Sequence, residues 1–258
     1  IGIDISQAVS PRDGIGNYAS QLTRALMATS SPHDFSLHAL SRPLGADEVK
    51  RQFPRMPPNF RLQLDSNQLD STLDIFHSPS WVYPQGAIGR VVTTCHDVTF
   101  LSHPEFHVPS NKARCTKGML EALLDDAHFL CVSQHTRAEL GRRLGVPAQR
   151  TSVIYEGAGD VFRPRDRRRA RLRLRRTLGI EGDYLLTIGR LEPRKNLVRL
   201  LHAYDGLPED LRARTSLLFA GPEGGRNEDM HSYLAERHSA GTVKLLGFVA
   251  EDTQADLY

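Results

Sequence analysis

The sequence predicts an α/β protein built from two doubly wound domains in tandem, the second of them incomplete. Short apolar or β-branched runs alternate with helical segments along most of the 258 residues, which is the pattern of parallel βαβ units. The alternation breaks at "EGAGDVFRPRD" and then restarts, as expected for a connection between domains. We place the first domain at 1–159, a linker with a basic helix at 160–180, and a partial second domain at 181–258.

The elements of the first domain follow from hydrophobic period. Apolar runs predict strands at 1–6, 35–40, 74–77, 91–95, 128–132 and 152–155. Apolar residues at three- and four-residue spacing predict helices at 15–29, 111–126 and 134–144. In the second domain the same criteria predict strands at 184–189, 215–221 and 242–247, with helices near 196–204 and 229–239.

Composition favours a globular protein of the cytoplasm. Hydrophobic residues make up 40% of the chain and charged residues 24%. No apolar run approaches the roughly 18 residues that span a bilayer, and no signal-peptide pattern opens the chain. A net charge of +3 is small for a nucleic-acid binder, so we expect no nucleic-acid partner. The three cysteines, Cys95, Cys115 and Cys131, lack C-x-x-C spacing and are expected to be reduced thiols.

A run of nine arginines at 163–176, "RPRDRRRARLRLRR", allows two interpretations. The favoured one is a solvated helix face, because Ala170, Leu174 and Leu178 fall on one side at four-residue spacing. The other is a patch that attracts a polyanion or an anionic membrane, which would place the protein at the inner face of that membrane. Both remain open at this stage.

The stretch "DGIGNYAS" fits the G-x-G-x-x-G/A spacing of a dinucleotide site through Gly14, Gly16 and Ala19. Its context does not fit, because seven loop residues separate Gly14 from the first strand. The second strand is also followed by Arg42 rather than by the acidic residue that holds a ribose. We therefore expect an anion site at Gly14, Ile15 and Gly16, and keep an NAD-dependent oxidoreductase as an alternative.

The strongest local signal is "TIGRLEPRKNLVRLLHAY" at 187–204. A strand runs into Arg190, and a proline-containing turn then brings Arg194, Lys195 and Asn196 to the start of an amphipathic helix. Cations beside free helix-terminal N–H groups favour a phosphate or diphosphate ligand.

Within that stretch, "GRLEPRKNL" resembles the second-domain motif of glycosyltransferase family 4, which are retaining group 1 glycosyltransferases of the GT-B fold. Four further stretches resemble the family in the same order along the chain: "DGIGNYASQLTRAL", "TTCHDVTFLSHPEF", "FLCVSQHTRAEL" and "SVIYEGAGDVFRP". The resemblance implies two Rossmann-like domains that face a cleft, the first for the acceptor and the second for a nucleotide sugar. It also implies a glutamate pair beyond Tyr258, so we expect this chain to be part of a longer protein.

The resemblance also implies roles for single residues. Arg190 and Lys195 would hold the donor diphosphate and stabilise the leaving group, with the backbone at 14–16 approaching from the other domain. His96, after the strand at 91–95, would contact the donor sugar near the reacting centre. Phe248 and Val249 would approach the nucleotide base.

Neighbouring residues receive lesser roles. We expect Asp97 to orient the histidine or to stabilise its turn, and Ser133 to cap the helix at 134–144. Glu156 is assigned no role.

The expected reaction is transfer of a hexose, with retention, from a nucleoside diphosphate sugar to an acceptor hydroxyl. The first guess is mannose from GDP-mannose, in the synthesis of a surface polysaccharide or glycolipid. We expect no metal, because no D-x-D triplet occurs and His96 and Asp97 lack further ligands at metal-site spacing, and no cofactor beyond the donor substrate. A relative that binds a nucleotide sugar without catalysis remains an alternative.

Overall fold

The computed structural model describes residues 1–9, 13–64, 69, 72–86, 89–224, 228–237 and 242–258. They form two compact units, Ile1–Gly157 and Ala158–Tyr258. Each unit is a parallel sheet with helices, so the predicted α/β class is confirmed. The basic helix that we assigned to the region 160–180 belongs to the second unit.

The first unit is built on seven parallel strands in the order β3-β2-β1-β4-β5-β6-β7. The strands are β1 Gly2–Asp4, β2 Phe35–His38, β3 Phe60–Gln63, β4 Ile75–Ser78, β5 Arg90–Cys95, β6 His128–Cys131 and β7 Thr151–Val153. The chain switches direction across the sheet between β1 and β4. In open α/β sheets such a switch point, at the carboxyl ends of the strands, is where ligands bind.

Five α-helices connect these strands: α1 Gly14–Ala28, α2 Ala46–Gln52, α3 Thr99–Ser102, α4 Pro109–Leu124 and α5 Gln134–Leu144. Local signals explain their ends. Ser133 caps α5 as expected, because its hydroxyl accepts a hydrogen bond from the Thr136 N–H at 3.0 Å. Gly145 ends the same helix in the left-handed conformation that favours glycine.

Two apolar clusters form the core of the first unit. One surrounds Phe129 and Met119, and the other surrounds Ile3 and Leu37. Cys95, Cys115 and Cys131 are free and buried, as expected. Burial raises the pKa of the Cys115 and Cys131 thiols to about 11, so both are protonated at neutral pH.

The second unit has three parallel strands in the order β10-β9-β8: β8 Asp183–Ile188, β9 Thr215–Ala220 and β10 Val243–Gly247. Its helices are α6 Arg167–Leu178, α7 Leu197–Asp205, α8 Glu209–Arg214, α9 Glu228–Arg237 and α10 Glu251–Leu257. The central strand β9 is buried from Leu217 to Ala220, as expected for a strand covered on both faces. The predicted helix at 229–239 ends in residues 238–239, which lie outside the described residues.

Helix α6 contains most of the arginine run, and its ion pairs account for several of the charges. Arg173 and Arg165 both bind Asp256 of α10, and Arg165 also binds Asp252. Ala170 and Leu174 are buried on the inner face, as the favoured interpretation predicted. Part of the arginine run therefore forms ion pairs with α10.

Two mid-helix glycines give a test of the first unit's packing. A Cβ added at Gly118 in α4 would overlap the carbonyl oxygen of Trp81, whereas one at Gly141 in α5 would lie 3.6 Å from its nearest neighbour, the Val146 oxygen. We expect Gly118→Ala to destabilise the unit by about 1 to 3 kcal/mol, the usual cost of overpacking. Gly141→Ala should instead stabilise it by up to ~1 kcal/mol, because alanine is the better helix former. Chemical unfolding followed by circular dichroism measures both, and equal effects would contradict this packing.

Candidate functional site

His96 lies at the carboxyl edge of the first sheet, in the turn after β5. Its ring Nε2 is 3.0 Å from the carbonyl oxygen of Pro79, which follows β4. Its Nδ1 is 3.2 Å from Oε1 of Glu156. The ring also meets Tyr18 of α1 edge to face, with centroids 4.9 Å apart. Residues that follow β4, β5 and β7 therefore converge on one imidazole.

A buried polar chain lies behind this histidine. The Tyr18 hydroxyl is 3.1 Å from Oγ1 of Thr94, and that same oxygen is 2.9 Å from Nε2 of His77. Burial and, to a smaller extent, the charge of His96 together lower the pKa of His77 to about 4, so His77 is neutral at neutral pH. Burial also raises the pKa of Tyr18, which keeps its phenol protonated.

Asp97 stabilises the turn, one of its two predicted roles. Its Oδ1 accepts hydrogen bonds from the Thr99 N–H at 2.9 Å and from the Thr99 hydroxyl at 2.7 Å. The described contacts of the His96 ring do not include Asp97. The carboxylate that contacts the ring is that of Glu156, a residue to which the sequence assigned no role.

The glycine-rich stretch forms the first turn of α1. The Gly16 N–H donates to the carboxylate of Asp13, the N-cap of α1, at 2.8 Å, so one of the three predicted N–H groups is already used within the helix cap. Gly14 has open space on its Cα, where an added Cβ would meet nothing within 4 Å. Residues 10–12, which precede this stretch, lie outside the described residues.

In the second unit, each strand ends in a glycine with positive φ: Gly189 after β8, Gly221 after β9, and Gly247 at the end of β10. Backbone hydrogen bonds join these turns, from the Gly189 N–H to Ala220 at 2.9 Å and from the Gly221 N–H to Gly247 at 2.7 Å. A Cβ at Gly221 would overlap the Gly189 carbonyl. Only glycine permits this approach.

Arg190 and Lys195 lie in the turn between β8 and α7, and both are exposed. The Arg190 guanidinium donates to the Glu223 carbonyl oxygen at 3.3 Å, and the end of the Lys195 chain lies about 4 Å from the position of a Cβ on Gly189. Neither cation has a carboxylate within 4.0 Å among the described residues, whereas Arg194 in the same turn pairs with Glu192 at 2.6 Å. Both are thus available to an anion.

Phe248 and Val249 follow β10 but differ in surroundings. Phe248 is 65% exposed, whereas the Val249 side chain is buried in the core of its unit. The Val249 carbonyl accepts a hydrogen bond from the Gln254 side chain at 2.7 Å. Only the Phe248 side chain is therefore free to meet a ligand.

Across the described ranges, no group of three or more His, Cys, Asp or Glu side chains could hold a metal ion, and metal independence stays a prediction.

Two family models match the chain. The model described as Glycosyltransferase Family 4 covers residues 12–158, and the one described as Glycosyl transferases group 1 covers 171–258. The chain belongs to glycosyltransferase family 4. This confirms the resemblance drawn from the five motifs.

Relatives of this family member include O-antigen chain mannosyltransferase B of Escherichia coli, which is 31% identical over 71% of this chain and 48% of its own length. The serotype-specific mannosyltransferase WbdA of Escherichia coli is 26% identical over 66% of this chain and 21% of its own length. The chain thus spans about half, or less, of these relatives.

Solved structures confirm the GT-B fold. WaaG, a glycosyltransferase involved in lipopolysaccharide biosynthesis, matches with a TM-score of 0.67 and 13% identity over 99% of this chain and 71% of its own. HepE of Anabaena, solved with UDP and glucose, matches with a TM-score of 0.68 and 16% identity over the same shares, 99% and 71%.

The predicted site residues fall into two groups, one in each unit. The first unit holds His96 and the turn Gly14–Gly16, and the second holds Arg190, Lys195 and the loop after β10. That they act together remains a prediction. Sequence reasoning missed Tyr18 and Thr94 and gave Glu156 no role, although all three lie inside the quoted motifs.

The buried His77 makes stability depend on pH. Its pKa is about 4 in the folded chain and ordinarily 6.5, so its contribution is complete above pH 6.5 and is lost as pH falls toward 4. That loss is on the order of 3 kcal/mol. As pH falls from 6.5 to 4, the free energy of unfolding of His77→Gln should therefore decrease less than that of the unchanged protein. Urea unfolding at several pH values measures this. The exposed His33→Gln serves as control and should keep the original slope; a parallel slope for His77→Gln would disprove the assignment.

Proposed function

We propose that the protein is a retaining glycosyltransferase that moves a hexose from a nucleoside diphosphate sugar to an acceptor hydroxyl. The observation that carries this proposal is the pair Arg190 and Lys195, exposed after β8 and without a carboxylate partner in the described part of the chain. Two such cations beside a strand end match the charge of a diphosphate. Family membership supports the same reaction class.

The transfer reaction requires stabilisation of the diphosphate leaving group. When the bond between the sugar's anomeric carbon and the phosphate oxygen breaks, negative charge grows on the diphosphate. Fixed cations lower the energy of that charge in the transition state. Arg190 and Lys195 would do so without a metal, and the departing phosphate oxygen would take the proton of the acceptor hydroxyl as the new bond forms on the same face.

The remaining site residues would orient the donor. His96 would lie against the sugar, and the N–H groups of Gly14 and Ile15, which have no hydrogen-bond partner among the described residues, would approach the diphosphate from the first unit. Phe248, being exposed, could stack on the base, while Val249 would shape that loop from within the core.

Mannose from GDP-mannose is the donor we favour. Both curated relatives named above are mannosyltransferases, one of them for an O-antigen chain. We accordingly propose a role in surface polysaccharide synthesis. HepE was solved with UDP and glucose, so UDP-glucose is the donor with which GDP-mannose should be compared.

The oxidoreductase alternative has little support from the loop after β1. Arg42, which follows β2 where a dinucleotide enzyme carries an acid, donates to the Ser6 and Val9 carbonyl oxygens and pairs with Glu48. Its side chain thus binds the backbone of the described part of that loop, at Ser6 and Val9. The alternative of a non-catalytic relative would bind a nucleotide sugar without turning it over.

Single substitutions in one turn test the diphosphate site. We expect Arg190→Ala and Lys195→Ala each to weaken GDP binding by ~1.5 to 3 kcal/mol, the scale of a hydrogen bond to a charged group. Arg194→Ala is the matched control, because Glu192 already neutralises Arg194, and it should change affinity much less. Titration calorimetry on the full-length protein gives all three values, and unchanged affinity in both Arg190→Ala and Lys195→Ala would refute the site.

Turnover separates the remaining alternatives. The full-length protein should transfer or hydrolyse the sugar of GDP-mannose, and faster than that of UDP-glucose. Binding without turnover would favour the non-catalytic relative, and tight NADH binding would favour the oxidoreductase.

We further propose that the peripheral membrane contact lies on α4 rather than on the arginine helix α6. No helix of the described residues is long and apolar enough to cross a bilayer, so the contact would be at a surface. On the side of α4 away from the core, Leu120 and Leu124 are 51% and 87% exposed. By helical spacing, Lys112 and Lys117 flank these leucines, and the Lys117 ammonium lies 3.9 Å from the Glu121 carboxylate in an exposed ion pair. An apolar stripe between cations suits an anionic lipid surface.

Vesicle sedimentation distinguishes the two helices. Replacing both Leu120 and Leu124 by aspartate should lower binding to phosphatidylglycerol vesicles by about tenfold or more, because burial of each leucine is lost. Leu172→Asp, at the exposed leucine of α6, is the control and should bind normally. If Leu172→Asp weakened vesicle binding and the α4 changes did not, the contact would lie on α6. If the unchanged protein were a dimer and the α4 changes dissociated it, the exposed leucines would instead form an interface between two copies of the chain.

A further inference from the structure

Glu156 lies three residues beyond the end of β7, at the edge of the first unit. Its Oε1 is 3.2 Å from Nδ1 of His96, and its side chain is 46% exposed while that of His96 is 14% exposed. Among the described residues, His96 is its ion-pair partner. A half-exposed carboxylate therefore contacts one ring nitrogen of an almost enclosed imidazole.

The hydrogen-bonding roles of the ring follow from its two partners. A backbone carbonyl can only accept a hydrogen bond, so the contact with Pro79 requires a proton on Nε2. An ionised carboxylate also only accepts, so the contact with Glu156 becomes a hydrogen bond when Nδ1 carries a proton too. With both bonds made, the ring is a doubly protonated imidazolium and has no lone pair to offer.

We infer that Glu156 is a positioning residue: its carboxylate fixes the orientation of the His96 ring and stabilises its doubly protonated form. The carbonyl of Pro79 holds the opposite nitrogen, and the edge of Tyr18 limits rotation between them. Three contacts from three parts of the first unit thus define one ring orientation.

The other groups around His96 do not supply this charge. His77 of β4 is neutral at neutral pH because burial lowers its pKa to about 4. Burial keeps the Tyr18 phenol of α1 protonated, since it raises the pKa of that group. Asp97 uses its Oδ1 on the Thr99 N–H and hydroxyl. Among the described residues, Glu156 is therefore the carboxylate within 4.0 Å of a His96 ring nitrogen.

The inference deepens the proposed transfer reaction and, for its catalytic meaning, rests on that function. A ring with both nitrogens protonated cannot remove a proton from the acceptor. His96 would instead be a fixed cation near the donor sugar, where it favours the growing negative charge of the departing diphosphate. The acceptor proton then passes to the phosphate oxygen, as proposed above, and no protein base is needed.

The test uses ring ¹⁵N chemical shifts of His96, followed by NMR as pH is varied in the chain described here. In Glu156→Gln we expect the His96 titration midpoint to fall by about half a pH unit or more, because a neighbouring negative charge favours the protonated ring. Glu105→Gln is the matched control. Glu105 also lies 3.2 Å from a histidine Nδ1, that of His103, but both partners are more than half exposed. It should leave His96 unchanged.

An unchanged His96 midpoint in a folded Glu156→Gln protein would overturn the inference. Should that variant fail to fold, Glu156→Asp keeps the charge but withdraws it by one methylene, and it must lower the midpoint by a smaller amount in the same direction. No shift in Glu156→Asp would then overturn the inference. The measurement needs no donor or acceptor, so failure of the proposed transfer reaction would appear separately, in the turnover assay.

Discussion

The close approach of backbone turns at the carboxyl edge of the second sheet is the constraint on which the second unit's part of the candidate site depends. In the second unit, Gly221 lies against the Gly189 carbonyl, and no side chain fits between them. The backbone of the first turn is thereby tied to the second, and that of the second to β10. Arg190 follows directly after this junction, so the position of its Cα is set by main-chain contacts while its side chain remains free for an anion.

The first unit uses side chains for the same purpose. His96 is placed by β5 but oriented by groups that follow two other strands, Pro79 after β4 and Glu156 after β7. Behind it, Thr94 joins the Tyr18 hydroxyl to the neutral His77. Parallel strands end at one edge of the sheet, which is why residues so distant in sequence meet there.

Some basic side chains of the second unit form ion pairs within the fold, whereas others have no carboxylate partner among the described residues and can bind an anion. Arg165 and Arg173 are used in pairing α6 with α10, and Arg194 is neutralised by Glu192. Arg190 and Lys195 stand in the same unit without a carboxylate among the described residues. A count of basic residues would have directed attention to the arginine run, whereas the position of Arg190 and Lys195 at a strand end directs it to the turn after β8.

The sequence alone determined the α/β class, the long helices and most strands, because their hydrophobic period is local and strong. Its five motifs also identified the family. It missed the short elements α2, β3, α3 and α8, whose four to seven residues are too few to show a period. Only the tertiary structure decided that Asp13 uses the Gly16 N–H and that Glu156 pairs with His96. The physical reason for the second case is distance along the chain: a partner sixty residues away leaves no periodic signal, and only the parallel sheet brings the two side chains together.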